Sequence, residues 1–191
     1  MAYQFKIQLQ GISKPPVWRK FLIPENFSFH QFHLAIQNAF GWYNYHLYQF
    51  SEDGCRSDVR IQMPHEESEE DELDSGKTKI KNYFKNAGNK MIYIYDFGDD
   101  WKHQVVLENI TADKILKPQC IGGKGKCPPE DIGGIPGFQR FLKLSKTPKN
   151  SEFKEMMEWM SLDADAVWDP NEFDLEEANE MMQEDNYLKK Y

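Results

Sequence analysis

Hydrophobic and polar residues alternate along much of residues 1–110, and this two-residue period is typical of half-buried β-strands. The clearest strand is predicted at residues 3–10, where Tyr3, Phe5, Ile7 and Leu9 share one face. The other predicted strands cover residues 17–23, 46–51, 59–63, 91–95 and 101–107. Strands are therefore expected to dominate this part of the chain.

Apolar residues at helical spacing replace the alternation in four other segments. In the first, Ser28 is a natural N-cap that completes a capping box with Gln31, and Gly41 ends the apolar stripe. His33 lies at the edge of this stripe and is expected to be a hydrogen-bonded core residue rather than a ligand. The other helices are predicted to begin near Pro136, Ser151 and Asp174.

The order of strands first and helices afterwards predicts a single α+β domain at residues 1–191. We expect a largely antiparallel sheet with helices packed on one side and a helical C-terminal part at about 135–186. Residues 117–135 are rich in Gly and Pro and are predicted to form a long loop without strands. An acidic flexible loop is predicted at about 64–77.

Composition places the chain among globular proteins that stay out of membranes. It has 191 residues, of which 40% are hydrophobic and 28% charged, and no apolar run is long enough to span a bilayer. The N-terminus alternates like a strand and lacks the pattern of a signal peptide. Three cysteines are few for a secreted disulfide framework, so a cytoplasmic location is expected.

The net charge of −8 is unevenly distributed. Residues 65–76 and 151–186 are strongly acidic, whereas the rest of the chain is mildly basic. One interpretation is a polyanion-binding face that is shielded by its own acidic segments. The other is that the charge runs are solvated surface, which the scattered spacing of the basic residues favours.

The predicted hairpin at residues 91–107 carries the first candidate polar site. Asp96, Asp99 and Asp100 surround Gly98 at the turn, and His103 follows. Carboxylate oxygens suit a hard cation, and the imidazole suits acid–base work. The alternative is a well-formed turn with solvated ends, because Asp and Gly are common in tight turns.

Cys120 and Cys127, separated by a glycine-rich segment, are weak candidates for a zinc site. Further donors would have to come from distant residues such as His46. We therefore assign no metal or other cofactor from the sequence, and zinc or another divalent ion is the alternative. The structural interpretation is two buried thiols that brace a loop.

A second candidate surface would bind nucleic acid or another anion through basic and aromatic residues. Its members are Trp18, Arg19, Lys20, Lys124 and Lys126. Exposed aromatic rings beside Arg stack nucleobases, and glycine-rich backbone next to Lys binds phosphate. The alternative is that Trp18 is ordinary core or rim material.

Several motifs together resemble those of one protein family. They are Pro15–Lys20, Phe32–Trp42, His46–Phe50, Tyr95–His103, Cys127–Gly134 with Gly137-Phe138, and Asp169–Asp174. In this combination the chain resembles the Ri-plasmid ORF-three-like family. The resemblance implies a single α+β domain and an association with mobile elements, where some members carry a resolvase label. Other members are joined to DNA-binding domains, which implies a sensor or interaction role.

These observations favour a non-catalytic cytoplasmic binding or regulatory module. Its surface would combine the hairpin turn with Glu130 and Asp131 of the Cys-Pro-Pro-Glu-Asp loop, and its partner would be a protein or a nucleic acid. One alternative is a metal-dependent hydrolase that uses the same carboxylates, and another is a nucleic-acid-binding accessory protein of a mobile element. Recombinase activity is not expected, because the four arginines do not cluster. The sequence assigns no oligomeric state.

Overall fold

A computed structural model describes residues 1–54, 57–65, 71–163, 166–184 and 187. In this part of the chain, an eight-stranded sheet and four α-helices form one α+β domain, as predicted. The strands are β1 Ala2–Ser13, β2 Pro16–Pro24, β3 Tyr48–Ser51, β4 Arg60–Gln62, β5 Leu73–Asp74, β6 Lys90–Tyr95, β7 Trp101–Thr111 and β8 Gln119–Lys124. The helices are α1 Phe29–Phe40, α2 Gly134–Leu144, α3 Ser151–Trp159 and α4 Leu175–Glu184, with a 3₁₀ turn at Ile80–Asn82.

The strand order across the sheet is β5-β4-β3-β6-β7-β1-β2-β8. Neighbouring strands are antiparallel except for the short parallel pair of β4 and β5. The N-terminal hairpin of β1 and β2 therefore lies between β7 and β8, which are consecutive in the chain. This placement puts β1 in the interior of the sheet, and its inward residues are fully buried.

Helix α1 forms where the sequence predicts it. The Ser28 hydroxyl accepts from the Gln31 amide, and the Gln31 side chain accepts from the Ser28 amide, so the capping box is complete. Gly41 ends the helix in the left-handed conformation with φ 80°. The Phe32 ring packs on Phe5 and Phe50 of the sheet at centroid distances of 4.6 and 5.5 Å. Burial of these rings anchors the helix on one face of the sheet.

The prediction of a long loop at residues 117–135 is wrong for its first part, because β8 pairs antiparallel with β2. Its glycines removed the alternation from which a strand is recognised. The Phe173 ring occupies the space beside Gly123, since a Cβ at this position would lie 2.6 Å from it. The outer edge of β8 is covered by Asn179 of α4, which accepts from the Cys120 amide and donates to its carbonyl.

Part of the predicted acidic loop at about 64–77 lies outside the described residues, at 66–70. Its described end forms β5. Cys55 also lies outside the described residues. None of the helices in the described ranges combines the length and the hydropathy that crossing a membrane requires.

Candidate functional site

The β6–β7 hairpin ends in a compact turn at Asp96 to Asp100. Asp96 and Asp100 both have left-handed backbones, with φ of 57° and 54°. Asp tolerates this conformation better than most residues because its short side chain can hydrogen-bond locally. Here the Oδ1 atom of Asp96 accepts from the Gly98 amide at 2.8 Å. One Asp96 oxygen is therefore used by the turn, and Oδ2 is directed elsewhere.

The second oxygen of Asp96 lies 3.8 Å from the Nε2 atom of His46. His46 belongs to the segment between α1 and β3, and this segment is held against the hairpin because the Asp96 amide donates to the Leu47 carbonyl at 2.9 Å. The Asp96 side chain is 10% exposed and that of His46 is 27% exposed. The hairpin turn thus presents a nearly buried carboxylate to a partly accessible imidazole.

The Cys-Pro-Pro-Glu-Asp loop brings two more carboxylates to the same imidazole. Asp131 Oδ1 lies 3.1 Å and Glu130 Oε2 lies 3.9 Å from His46 Nε2. The other Glu130 oxygen, Oε1, accepts from the Tyr43 amide at 2.9 Å and from the Tyr95 hydroxyl at 3.0 Å. We name His46, Asp96, Glu130 and Asp131 the rim cluster.

The loop that carries Glu130 and Asp131 is fixed to the hairpin by its backbone. The Gly133 amide donates to Asp99 Oδ2 at 3.1 Å. Gly134, with φ 63°, passes so close to the hairpin that a Cβ would lie 2.5 Å from the Asp99 carbonyl oxygen. The Trp42 indole N–H donates to the Pro128 carbonyl at 2.9 Å. These contacts hold the rim cluster together although its members come from three separate segments.

Burial changes the pKa of Glu130 in the rim cluster. It raises the pKa of Glu130, and the nearby Asp131 adds to this rise, whereas His46 and the hydrogen bonds to Oε1 oppose it. Burial also raises the pKa of Tyr95, and the adjacent Glu130 raises it further. A nearly buried carboxyl group with a raised pKa next to an imidazole is the kind of pair that acid–base sites use.

Glu130 and Asp131 also line a cleft of about 780 Å³. Its walls come from the end of α1, the segment after Gly41, the Cys-Pro-Pro-Glu-Asp loop, the end of α3 and the start of α4. Three of its aromatic residues are largely exposed, namely Tyr43 at 66%, Tyr45 at 73% and Trp159 at 66%. The rim cluster thus borders a cleft large enough for a small ligand or a short peptide.

The structure brings three of the six predicted polar residues together, namely Asp96, Glu130 and Asp131. Asp99 braces the loop, and Asp100 pairs with Lys102 at 2.6 Å on the surface. His103 points into the core.

His103 is fully buried, and its ring meets Phe40 and Trp42 edge-on at 5.0 and 5.3 Å. Burial lowers the pKa of His103 to about 3, which keeps it neutral at physiological pH. His103 is therefore close to Asp99 and Asp100 in the sequence, but its side chain does not join theirs in one site.

His46 entered the sequence analysis only as a distant zinc donor. Its place in the rim cluster depends on contacts between three parts of the chain: the segment between α1 and β3, the β6–β7 hairpin and the Cys-Pro-Pro-Glu-Asp loop. No local sequence pattern predicts such contacts. Two sequence signals included His46, namely the predicted strand at residues 46–51 and the family motif His46–Phe50.

The candidate anion-binding residues are mostly engaged within the fold. Arg19 is 4% exposed and donates to the carbonyls of Ala39, Lys124 and Gly125. Lys20 pairs with Glu108 at 2.7 Å, and Lys126 pairs with Glu172. Trp18 lies beneath the Lys6 ammonium group at 5.2 Å. Lys124 is exposed at the end of β8.

The two described cysteines, Cys120 and Cys127, are free thiols. Burial raises the pKa of both groups, although Arg19 opposes this rise. In the described ranges, the group of side chains whose donor atoms are spaced for a metal contains His46, Asp96 and Asp131 and neither cysteine.

Comparisons with known proteins agree with this architecture. A family model described as plasmid pRiA4b ORF-3-like protein matches residues 1–177. The uncharacterized protein y4hQ of Sinorhizobium fredii (strain NBRC 101917 / NGR234) is 32% identical over 158 residues, or 82% of this chain and 79% of that protein. The crystal structure of a protein of unknown function, MM3350 from Methanosarcina mazei Go1, matches with a TM-score of 0.75 and 32% identity, covering 92% of this chain and 96% of that one. The predicted fold class and the predicted resemblance are confirmed.

Proposed function

The chain belongs to the plasmid pRiA4b ORF-3-like family, and we propose that it is a binding module whose cleft takes up a basic segment of a partner protein. The observation that carries the proposal is the charge of the cleft lining, in which five carboxylate residues face two basic ones. The acidic residues are Glu130, Asp131, Glu172, Asp174 and Glu177. A lining of this sign attracts cations and repels anions.

The two basic residues of the lining do little to change that sign at the surface. Arg19 is buried at the base of the cleft and donates to backbone carbonyls. Lys126 pairs with Glu172, and its ammonium group lies 4.7 Å from the Trp168 ring centroid. An incoming cation would therefore meet carboxylates first.

The exposed aromatic residues favour arginine or lysine over a small inorganic cation. Tyr43 and Tyr45 stack at 5.6 Å between ring centroids, and Trp159 is also exposed in the lining. Aromatic faces bind guanidinium and ammonium groups by cation–π attraction, by about 1 kcal/mol or more per contact. Exposed Tyr and Trp side chains are also common anchors of protein interfaces.

Nucleic acid is a poor occupant of this cleft for the same reason. Phosphates are repelled by the lining carboxylates, and Arg19, Lys20 and Lys126 are engaged within the fold. The free thiols of Cys120 and Cys127 support the reducing, cytoplasmic setting that we propose for this role. A basic segment bound in the cleft would be shielded from other molecules. In this way the module would regulate the partner protein that carries the segment.

The test is a titration of the protein with a short arginine-rich peptide, followed by intrinsic tryptophan fluorescence and by calorimetry. We expect saturable binding that weakens as salt rises, because ion pairs are screened. Trp159→Ala and Tyr45→Ala are each expected to weaken binding about tenfold, the effect of losing one cation–π contact.

The matched control is Leu116→Ala, since Leu116 is 91% exposed but lies outside the cleft lining, and it should bind like the parent protein. A glutamate-rich peptide of equal length should not bind. The proposal is wrong if a single-stranded oligonucleotide binds more tightly than the basic peptide, or if the cleft variants behave like Leu116→Ala.

Metal-dependent hydrolysis is a second candidate, and one observation favours it. The hairpin turn and the loop bring Asp96, Glu130 and Asp131 to one imidazole beside the cleft. The test measures turnover of model esters, phosphate esters and peptides with added Mn²⁺ or Zn²⁺, in the parent protein and in Glu130→Gln. Turnover that Glu130→Gln abolishes would support the enzyme, whereas no turnover would leave only the binding module.

A further inference from the structure

We propose that the rim cluster is a binding site for a divalent transition-metal ion, with His46, Asp96 and Asp131 as ligands and Glu130 as the fourth donor. Glu130 and Asp131 belong both to this site and to the cleft lining, but the two proposals are tested separately, because the metal titration uses no peptide. It is carried by the spacing of the donor atoms, their orientation and one buried oxygen that lacks a partner.

The donor atoms are close enough to share one ion. The ligating atoms of His46, Asp96 and Asp131 all lie within 4.8 Å of one another. Donors around a tetrahedral zinc ion with ordinary bond lengths lie about 3.3 Å apart. His46 Nε2 and Asp131 Oδ1 already have this spacing at 3.1 Å, and Asp96 Oδ2 and Glu130 Oε2 are only slightly further from Nε2, at 3.8 and 3.9 Å.

The two nearly buried carboxylates are oriented toward the imidazole by their other oxygen atoms. Asp96 Oδ1 is held by the Gly98 amide, and Glu130 Oε1 is held by the Tyr43 amide and the Tyr95 hydroxyl. In each case the remaining oxygen points at His46. Outer contacts of this kind are what orient the ligands of metal sites.

An independent observation comes from Glu130 itself. Its side chain is only 10% exposed, and its Oε2 atom is fully buried without a hydrogen-bond partner among the described residues. The Nε2 atom of His46 is also buried without a hydrogen-bond partner among these residues. It lies 3.1 Å from Asp131 Oδ1, but the angles at this contact do not fit a hydrogen bond. Buried acceptors without partners are costly and call for an explanation. A shared cation would satisfy both atoms at once.

The donor set indicates the class of metal. One imidazole nitrogen with carboxylate oxygens suits Zn²⁺ and Mn²⁺, and a purely oxygen-based site for Ca²⁺ would not need the imidazole. In the general order of affinities Zn²⁺ binds more tightly than Mn²⁺. Zinc is therefore the ion for the test, and a metal bound here would face the cleft through Asp131, whose side chain is 56% exposed.

The test uses metal-stripped, reduced full-length protein titrated with Zn²⁺, with calorimetry for affinity and elemental analysis after desalting for stoichiometry. We expect one zinc ion per chain. His46→Ala and Asp131→Asn remove ligands that are at least partly exposed, so the fold should survive. Each is expected to lower the affinity by at least about a hundredfold, because loss of a ligand costs more than the loss of an outer contact. Near-ultraviolet circular dichroism confirms folding of each variant.

Two controls separate this site from other zinc donors. His65→Ala removes a half-buried histidine outside the rim cluster, and Cys127→Ser removes a thiol, and neither should change zinc binding. Substitution with Co²⁺ should give a spectrum without a thiolate charge-transfer band. No zinc binding in the parent protein, unchanged affinity in folded His46→Ala, or loss of zinc in Cys127→Ser would each overturn the proposal.

Discussion

Two histidine environments both contact Tyr95 and show how differently the fold uses one residue type. The Tyr95 ring contacts His33 at 6.2 Å and His46 at 5.8 Å between centroids. His33 is fully buried in an aromatic layer, whereas His46 is partly exposed and surrounded by three carboxylates. The residues around a histidine therefore determine whether its side chain is closed off in the core or open to a ligand.

The buried environment is a closed hydrogen-bond chain. Gln37 donates to the Tyr93 hydroxyl, Tyr93 donates to His33 Nδ1, and His33 Nε2 donates to the Asn44 side-chain oxygen, at 3.0, 2.8 and 2.6 Å. The backbone amide of Asn44 donates to the Gln37 side-chain oxygen at 3.1 Å, which closes the chain. The chain requires a neutral imidazole and leaves no donor or acceptor of His33 for a ligand.

The rim environment has the opposite property, because two of its buried polar atoms are not hydrogen-bonded within the described part of the chain. Oε2 of Glu130 and Nε2 of His46 lack hydrogen-bond partners among the described residues. The buried layer is therefore fully hydrogen-bonded, whereas the rim cluster keeps two polar atoms available for the metal ion that we propose.

Acidification should destabilise the protein through the buried histidines. Burial lowers the pKa of His33 and His103 to about 3. Because the unfolded chain binds these protons near pH 6.5 and the native state does not, stability is complete above that pH and falls as the pH drops toward 3. Between pH 7 and pH 5 we expect a loss of about 2 kcal/mol for each histidine. Urea unfolding at the two pH values measures the loss, and equal stabilities would contradict it.

Removal of one histidine from each environment should separate them directly. His33→Ala deletes a ring that stacks on Tyr48 at 3.5 Å, and it removes the acceptor of the Tyr93 hydroxyl and the His33 donor to the Asn44 side-chain oxygen, so we expect a loss of about 3 kcal/mol. His46→Ala removes partly exposed ion pairs and should cost less than about 1 kcal/mol. Urea unfolding of both variants at pH 7 gives the comparison. Similar losses in both would mean that the rim is structural as well.

Gly134→Ala should test how tightly the loop must approach the hairpin. A Cβ would lie 2.5 Å from the Asp99 carbonyl oxygen, in a backbone with φ 63°, and we expect a loss of about 2 kcal/mol. Gly88→Ala is the matched control, because Gly88 has φ 93° and a Cβ added there would meet no atom within 4 Å. Gly88→Ala should lower the free energy of unfolding by only about 1 kcal/mol, because only the backbone conformation is strained. The thermal unfolding midpoints should differ accordingly, and equal midpoints would mean that the close approach is unimportant.

Tyr95→Phe should have a small effect on stability and should act on the rim alone. The lost hydroxyl donates to Glu130 and accepts from the Tyr45 amide, which is worth about 1 kcal/mol. Tyr43→Phe, at a ring that is 66% exposed, is the control and should be neutral. Nuclear magnetic resonance should show shifts at Tyr45 and Glu130 while the His33 ring signals stay in place. Movement of the His33 signals would show that the two environments are coupled.

The sequence was sufficient where structure depends on nearby residues. The capping box of Ser28 and Gln31 and the alternation in β1 both match the structure. Strand β8 was missed because its glycines carry no side-chain pattern, and it is recognised only through its pairing with β2. The sequence indicated both acidic segments of the rim cluster, but it placed His103 with them instead of His46. Strand alternation directs His103 inward, and only the tertiary contact brings His46 to the carboxylates.

The position of β1 in the middle of the sheet has a consequence for synthesis on the ribosome. Ala2 pairs with Thr111, so the inner edge of the N-terminal hairpin has no partner until β7 has been translated and has left the exit tunnel. Such distant pairings fold slowly, and unpaired strand edges attract other chains in the meantime. A nascent chain that stalls before residue 101 would expose an aromatic, aggregation-prone edge, and chaperones that hold nascent chains would protect it until β7 arrives.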